Sequence, residues 1–298
     1  MPELPEVETV RRELAPVLAG RRIDRAEILD ARLTRPVEPG LVASELQGES
    51  VAAVERRGKY LVVRFASERA LLVHLRMTGS FRTARDGGLE SDAYRRAVVS
   101  LDDGADVAYR DVRRFGTWLL LEPDEVEPYL AIRVGPEPLE DGFTTRFLRA
   151  RLAGRTAPLK AALLDQRSVA GLGNIYVDEA LWRARLHPRR EAGSLSAAEI
   201  RRVHAAVREA LEVGIARQGS TLRDYRRPDG AEGSMQEEFK VYGRLGEPCE
   251  RCGTPIERIV VGGRGTSYCP TCQVSPYAAS APSMRSRRPS RSRRTSSV

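Results

Sequence analysis

The chain has 298 residues, 41% of them hydrophobic and 30% charged, and a formal net charge of +8. That length can bury a sizeable core without disulfide staples and suits two domains, while no apolar run approaches the roughly 20 residues of a membrane-spanning helix. The positive balance suggests a polyanionic partner, but residues 273–298 contain six arginines and no acid, leaving +2 for the rest. Local clusters therefore carry the case for nucleic acid: Arg56-Arg57-Gly58-Lys59, Arg110 to Arg114, and the arginines around the cysteines. The opening Met-Pro-Glu-Leu-Pro-Glu lacks the basic start and apolar stretch of a secretory signal, so a cytoplasmic protein is expected.

Val7, Val10, Leu14 and Val17 recur at helical spacing behind Pro5 and ahead of Gly20, which predicts an amphipathic helix over residues 5–18. Strand-like runs follow at 51–54, 60–65, 70–75, 97–101, 107–109 and 117–121, giving a β-rich first domain over 1–135. Gly135-Pro136-Glu137-Pro138 opposes both helix and strand, so residues 136–143 read as a linker. Beyond 144 the pattern turns helical. The clearest helix carries Ile200, Val203, Val207, Leu211 and Ile215, with Ser196 placed to cap it, and the helical domain extends to 240. Residues 273–298 are rich in Ser, Arg and Pro and nearly free of apolar residues; they are expected to be disordered, as a solvated appendage or a non-specific DNA tether.

The cysteines form two pairs, Cys249-x2-Cys252 and Cys269-x2-Cys272, sixteen residues apart and inside segment 241–272. Two tight turns can each aim two sulfurs at one ion, and four thiolates close a tetrahedral structural zinc site with no position left for water. A pair of disulfides is the other reading, which a reducing compartment disfavours. At the opposite end, removal of Met1 would leave Pro2 as a free secondary amine with a pKa of about 8, able to attack a sugar carbon and form an iminium. Glu3 and Glu6 are the carboxylates in reach. A frayed terminus would look the same, so Pro2 alone decides nothing.

Six motifs in register carry more. Met1-Pro2-Glu3-Leu4-Pro5-Glu6-Val7-Glu8-Thr9, Arg57-Gly58-Lys59-Tyr60-Leu61, His74-Leu75-Arg76-Met77-Thr78-Gly79, Arg113-Arg114-Phe115-Gly116, Gly171-Leu172-Gly173-Asn174-Ile175-Tyr176 and the cysteine finger together resemble the formamidopyrimidine-DNA glycosylase family over residues 2–272. The resemblance implies an α+β multidomain fold: an N-terminal β-sandwich with flanking helices, then a helix-two-turn-helix domain with a zinc β-hairpin finger. It implies a bacterial base excision repair enzyme, a monomer, that removes oxidised purines from double-stranded DNA and cuts the abasic site.

Roles follow by the same resemblance. Pro2 would be the nucleophile, Glu3 the proton donor and shuttle, and Lys59 would assist elimination and hold phosphate. Met77, Arg113 and Phe115 would fill the space left by the everted base. Asn174 and Arg264 would bind phosphates beside the lesion, and Arg264 would help the final elimination. Lys160 and Arg155 match basic positions facing the backbone, and Arg114 belongs to the same DNA-facing cluster as Arg113. Tyr94 stands near the family's usual phosphate-contacting histidine. His74 either serves DNA or is a strand-edge histidine bonded to the backbone, and Arg113-Arg114-Phe115 could equally be a solvated strand end. The stretch from Gln218 to Phe239 would fold over the everted base or be a plain linker; with Leu4 it favours oxidised purines. Met235 replaces a more usual aromatic residue, and His204 is read as packing or surface. An oxidised-pyrimidine glycosylase of the endonuclease VIII type and a non-catalytic damaged-DNA-binding zinc protein are the alternatives.

Overall fold

The computed structural model describes residues 1–85, 89 and 92–275; the expected disordered tail falls, from 276 on, outside the described residues. Helix α1, Leu4–Leu18, starts at Glu3, whose backbone N–H donates to the Glu6 carboxylate at 2.8 Å. Leu4, Val7, Val10, Leu14 and Leu18 are buried, as their three- and four-residue steps require. Gly20 at φ 79° then turns the chain, a conformation that favours glycine.

The chain continues through β1 (Ile23–Ile28), α2 (Pro39–Leu46), β2 (Val51–Arg57), β3 (Tyr60–Phe65), β4 (Ala70–His74), β5 (Gly79–Arg85), β6 (Arg95–Leu101), β7 (Ala105–Asp111), β8 (Thr117–Leu121) and α3 (Pro123–Ala131). Two four-stranded antiparallel sheets result, ordered β1-β6-β7-β5 and β2-β3-β4-β8. Phe81, Val99, Val107 and Tyr109 from the first face Leu61, Val63, Val73 and Trp118 from the second, and α1 closes one end of this core. Two of these strands escape the sequence pattern. In β1 only Ile23 is buried, so there is no alternation to see, and β5 reads Gly-Ser-Phe-Arg-Thr-Ala-Arg with one large apolar residue.

The second domain contains α4 (Thr145–Leu152), α5 (Leu159–Leu164), α6 (Asn174–Ala184) and α7 (Ala197–Ala216), packed on a core of Leu148, Leu163, Val177, Leu181, Val203 and Val207. Ser196 caps α7 as anticipated, accepting from Glu199 N–H at 3.3 Å. The chain ends in the hairpin β9 (Glu257–Val261) and β10 (Arg264–Tyr268) between the cysteine pairs. Gln273, placed by the sequence in the tail, is fully buried; its side chain accepts from Cys269 N–H and donates to the Leu186 carbonyl.

The supposed linker is a strut. Glu137 is 2% exposed, and its carboxylate accepts from Gly58 N–H at 2.5 Å and from the Arg56 guanidinium at 2.7 Å. Arg56 also reaches Glu8 of α1 at 3.2 Å, so the β2–β3 turn, the interdomain segment and the first helix share one buried ionic network. Proline and glycine signal irregular backbone, and irregular backbone can be as tightly held as a helix when its polar groups are paired. Breaking a buried pair leaves a charge without compensation. Glu137→Ala is expected to cost about 3 kcal/mol, read as a lower urea midpoint at unchanged slope; an unchanged midpoint would mean that solvent reaches this network.

Candidate active site

Pro2 and Glu3 lie where the two domains meet. The Glu3 carboxylate accepts from Ile175 N–H at 3.0 Å and Tyr176 N–H at 3.4 Å, the free donors of the first turn of α6. This contact sets the residues beneath it. A Cβ on Gly173 would sit 2.3 Å from the Glu3 carboxyl carbon, and one on Gly171, already at φ 74°, would sit 2.5 Å from the Leu4 Cβ. The Gly171 carbonyl in turn accepts from Leu4 N–H at 3.0 Å. The Gly-x-Gly-Asn segment therefore receives the protein's own N-terminus.

Burial raises the Glu3 pKa, with Glu6 adding to the rise and Lys59 and the Ile175 N–H opposing it. Such a carboxyl can hold a proton to give. Lys59, 6% exposed in the β2–β3 turn, has its pKa lowered by burial and by Arg264, against the pull of Glu3. Arg264, exposed at the start of β10, thus acts on the same centre from the finger. Pro2 itself lines a cleft of about 490 Å³ with Met1, Glu6, Met77, Thr78, Arg113, Ser220, Leu222 and Tyr242 among its walls. Pro2 with Glu3, Lys59 and Arg264 come from three distant parts of the chain and are brought together here.

Glu6 has more to do than the sequence conveys. It is 1% exposed and accepts from Tyr176 Oη at 2.9 Å and Ser220 N–H at 2.7 Å, as well as from Glu3 N–H. Ser220 begins the long loop after α7, so that loop is anchored beside Pro2. Tyr225 is buried with the sandwich core, and Arg227 is held by Glu13 at 2.5 Å. The loop is not a plain linker. Met235, expected at the lesion, lies fully buried in the helical core instead, and His204 stacks on Phe143 and bonds to its carbonyl.

The expected gap fillers are on the opposite wall. Met77 and Phe115 are 38% and 51% exposed, and the Arg113 guanidinium lies 4.7 Å over the Phe115 ring. Their loop is clamped by Asp111, 1% exposed, whose carboxylate accepts from Thr78 Oγ1, from Arg113 N–H at 3.2 Å and from Gly116 N–H at 2.7 Å. Phe115 is thus exposed on a firmly held loop, and Met77 is exposed on the neighbouring connection between β4 and β5. Arg114 departs from its neighbours: at φ 59° it turns back into a bidentate pair with Asp30 at 2.5 and 2.7 Å, which lowers the Asp30 pKa to about 2. Its guanidinium secures the loop rather than facing the cleft.

His74 ends β4, with Nδ1 accepting from Arg76 N–H at 3.0 Å and Nε2 left to donate. Burial, then Arg76 and Lys59, lower its pKa to about 3. Both earlier readings of His74 meet here, because a backbone bond on one nitrogen orients the other. Tyr94 is exposed and lies under Arg110, whose guanidinium is 5.0 Å from the ring centre. Asn174 donates to the Gly265 carbonyl at 3.1 Å, and Arg155 pairs with Asp165 at 3.4 Å.

Lys160 is a correction. It has no exposed surface; its ammonium pairs with Asp178 at 2.7 Å and donates to Thr266 Oγ1 and the Gly265 carbonyl. A charge enclosed and neutralised in this way holds the hairpin that carries Arg264 and cannot face a DNA backbone. Asp178 also accepts from Ser267 N–H, and the buried Glu179 accepts from the N–H groups of Lys240, Val241 and Tyr242. Neither acid stands out in the sequence, because adjacent acids in a helix ordinarily face solvent.

The sulfurs of Cys249, Cys252, Cys269 and Cys272 all lie within 4.8 Å of one another, and all four thiols are free. A tetrahedral zinc with Zn–S bonds of about 2.3 Å sets its sulfurs about 3.8 Å apart, so the donor set fits one structural zinc ion. Trp182 Nε1 of α6 donates to Cys249 Sγ at 3.4 Å, and Arg251 lies 3.5 Å over the Trp182 ring, directed into the finger's base rather than toward the cleft.

A β-sandwich joined to a helical domain and a four-cysteine finger, with the chain's N-terminus in the cleft between them, defines the class of zinc-finger DNA glycosylases. Residues 1–118 match the formamidopyrimidine-DNA glycosylase N-terminal domain, 134–226 its H2TH domain, and 246–274 the zinc finger found in FPG and IleRS. The formamidopyrimidine-DNA glycosylase of Symbiobacterium thermophilum is 49% identical over 280 residues, covering 93% of this chain and 90% of that protein. That of Geobacillus kaustophilus is 45% identical over 278 residues, covering 92% and 100%. A structure of Lactococcus lactis Fpg bound to DNA containing an abasic site superimposes with a TM-score of 0.85 at 40% identity, over 92% of this chain and 100% of that one. The chain belongs to the formamidopyrimidine-DNA glycosylase family, DNA glycosylases with abasic-site lyase activity in base excision repair.

Two outcomes test this geometry. Gly173→Ala would displace Glu3, and because misplacement by about 1 Å can cost 100-fold, glycosylase turnover is expected to fall about 100-fold with zinc content unchanged; normal turnover would separate Glu3 from the α6 terminus. His74 stays neutral in the folded chain to about pH 3 while the unfolded chain protonates below 6.5. The stability it contributes is complete above 6.5 and is lost as pH falls toward 3. His74→Gln should therefore flatten the fall in urea midpoint over that range, and an unaltered profile would argue that the imidazole titrates normally.

Proposed function

We propose that this enzyme excises oxidised purines, 8-oxoguanine and formamidopyrimidines, from duplex DNA and then cleaves the strand at the abasic site, working on chromosomal DNA in the cytoplasm. The observation that carries this reading is the shared cleft: Pro2 and Glu6 on one side, Met77 and Arg113 on the other, and the loop residues Ser220, Leu222 and Tyr225 over the top. The loop roof and Leu4, buried against Gly171, favour a purine over the oxidised pyrimidines of the endonuclease VIII type.

With Met1 removed, the Pro2 nitrogen attacks C1′ of the everted nucleotide. The N–C1′ bond forms, the glycosidic bond breaks, and the proton shed by the amine leaves with the base through Glu3. Opening of the sugar ring gives the iminium and places a proton on the ring oxygen, which Glu3 again supplies. The iminium makes the C2′ proton acidic; its removal expels the 3′ phosphate, and a second elimination expels the 5′ phosphate. Lys59, whose pKa is lowered by its burial, and Arg264 stand where they can assist proton removal and stabilise the departing phosphates. The neutral His74 offers its Nε2–H to a phosphate oxygen, and Asn174 can exchange the Gly265 carbonyl for another. Met77 and Phe115 fill the vacated stack while Arg113 faces the orphaned base. Tyr94 and Arg155 are assigned to the flanking backbone.

Borohydride reduction on duplex DNA containing 8-oxoguanine opposite cytosine should trap a covalent adduct at Pro2, located by mass spectrometry, and Pro2→Gly should abolish it while DNA binding persists. Adduct on thymine glycol but not on 8-oxoguanine would move the substrate to pyrimidines. Tight binding with no adduct on either would leave a non-catalytic damage-binding protein.

A further inference from the structure

At the end of α7 remote from the cleft lies a recess of about 260 Å³, between the N-terminal halves of α4 and α7, lined by Thr145, Arg146, Arg149, Ala197, Ile200 and Arg201. It shares no lining residue with the cleft that holds Pro2. Helix α7 has 20 residues, a length of about 30 Å. Ser220 follows its far end into the cleft, whereas Ala197 and Arg201 stand at its start. Nothing in the chemistry proposed above uses this face.

The arginines here are placed against the stability of their own helix. Arg146 is the second residue of α4, where the helix dipole favours an acid, and the first turn contains none. Arg149 lies one turn further on, so two like charges are neighbours at i and i+3. Arg201 meets them from α7. All three are exposed, and none forms an ion pair or hydrogen bond with another described residue. Glu199, the acid in the first turn of α7, is engaged with Ser196 N–H at 2.8 Å and Arg190 at 3.7 Å. The exposed acids of the flanking turns, Glu140, Asp141 and Glu191, pair with none of the three arginines. By contrast Arg22, Arg64 and Arg69 on the sandwich all have carboxylate partners. The floor between the guanidiniums is apolar, formed by Ala197 and by Ile200, which is buried.

We propose that this recess docks an acidic peptide segment of another protein, with carboxylates on Arg146, Arg149 and Arg201 and an apolar side chain on the Ile200 floor. Residues two apart on an extended peptide share one face at a spacing of about 6.6 Å. That is close to the roughly 5–6 Å between positions i and i+3 of a helix, so two same-face carboxylates can meet Arg146 and Arg149 together. A nucleic-acid strand fits less well, because no aromatic ring lines the recess for bases to stack on and the apolar floor offers a phosphate nothing. Residues 273–298 of this chain are excluded as the occupant by their six arginines and lack of acids. A partner held here leaves the cleft open, so the enzyme can carry it while engaged on DNA.

The test uses the full chain and a fluorescein-labelled peptide of Asp-Leu-Glu repeats, with binding read by anisotropy. Arg146→Gln, Arg149→Gln is expected to weaken the peptide at least about tenfold, the effect of losing one hydrogen bond to a charged group. Arg146→Lys, Arg149→Lys should weaken it less, and borohydride trapping on the 8-oxoguanine duplex should be unchanged in both. Arg22→Gln, Arg25→Gln removes the same charge beside and on β1 and should leave peptide binding as it is. Saturating duplex should not displace the peptide. Equal peptide affinity in the α4 Gln variant, or an equal loss in the β1 variant, overturns the proposal. A fall in duplex affinity in the α4 variant, or displacement of the peptide by duplex, would assign these arginines to DNA and overturn it as well. Displacement by millimolar inorganic phosphate would make this a free-anion site, with the same consequence. Peptide binding does not depend on the Pro2 chemistry, so failure of that chemistry shows only in the trapping experiment.

Discussion

The contact on which the rest depends is the Glu3 carboxylate seated on the first-turn amides of α6. A helix start is a ready anion site, and in a nucleic-acid enzyme the expected guest is a phosphate. Here the guest is a side chain of the protein, one residue after Pro2. Seating Glu3 fixes Pro2 to within a bond or two, joins the sandwich domain to the helical domain, and demands glycine at 173 because no Cβ fits beneath the carboxyl.

Around that contact the interface is unusually polar. Glu3, Glu6, Lys59, Glu137, Lys160, Asp178 and Glu179 are all less than 9% exposed. Such groups are costly to bury and are tolerated because each has partners of opposite charge or backbone donors. They divide into two sets. Glu6, Glu137, Asp178, Lys160 and Glu179 are fully engaged with helices, loops and hairpin and act as scaffold. Glu3 and Lys59 are held by competing influences that shift both toward their neutral forms, which is the state in which a carboxyl can donate and an amine can accept a proton.

Much of this was legible in the sequence, unevenly and for physical reasons. The helix over residues 5–18, the long helix capped by Ser196 and the core strands follow from periodicity, and the zinc finger from cysteine spacing alone. Pro2, Glu3 and Lys59 carry only weak local signals; the joint resemblance of six motifs made them one candidate site. Lys160 and Arg114 show what that reasoning leaves out. A cation in a DNA-binding sequence looks like a phosphate ligand until its partner is seen, and the partners, Asp178 and Asp30, are separated from them by 18 and 84 residues. Glu137 was hidden for the opposite reason, since flanking prolines marked only a linker that is neither helix nor strand. Charge pairing at long range leaves no trace in a single sequence.

Helix α6 has a further consequence. Its first turn holds Glu3, its middle holds the Lys160–Asp178 pair and the Glu179 nest, and its last turn holds Cys249 through Trp182. Eleven residues at 1.5 Å each make a rod about 16 Å long, with the seat of Glu3 at one end and the cysteine cluster at the other, so one short helix sets the distance between the finger and the cleft.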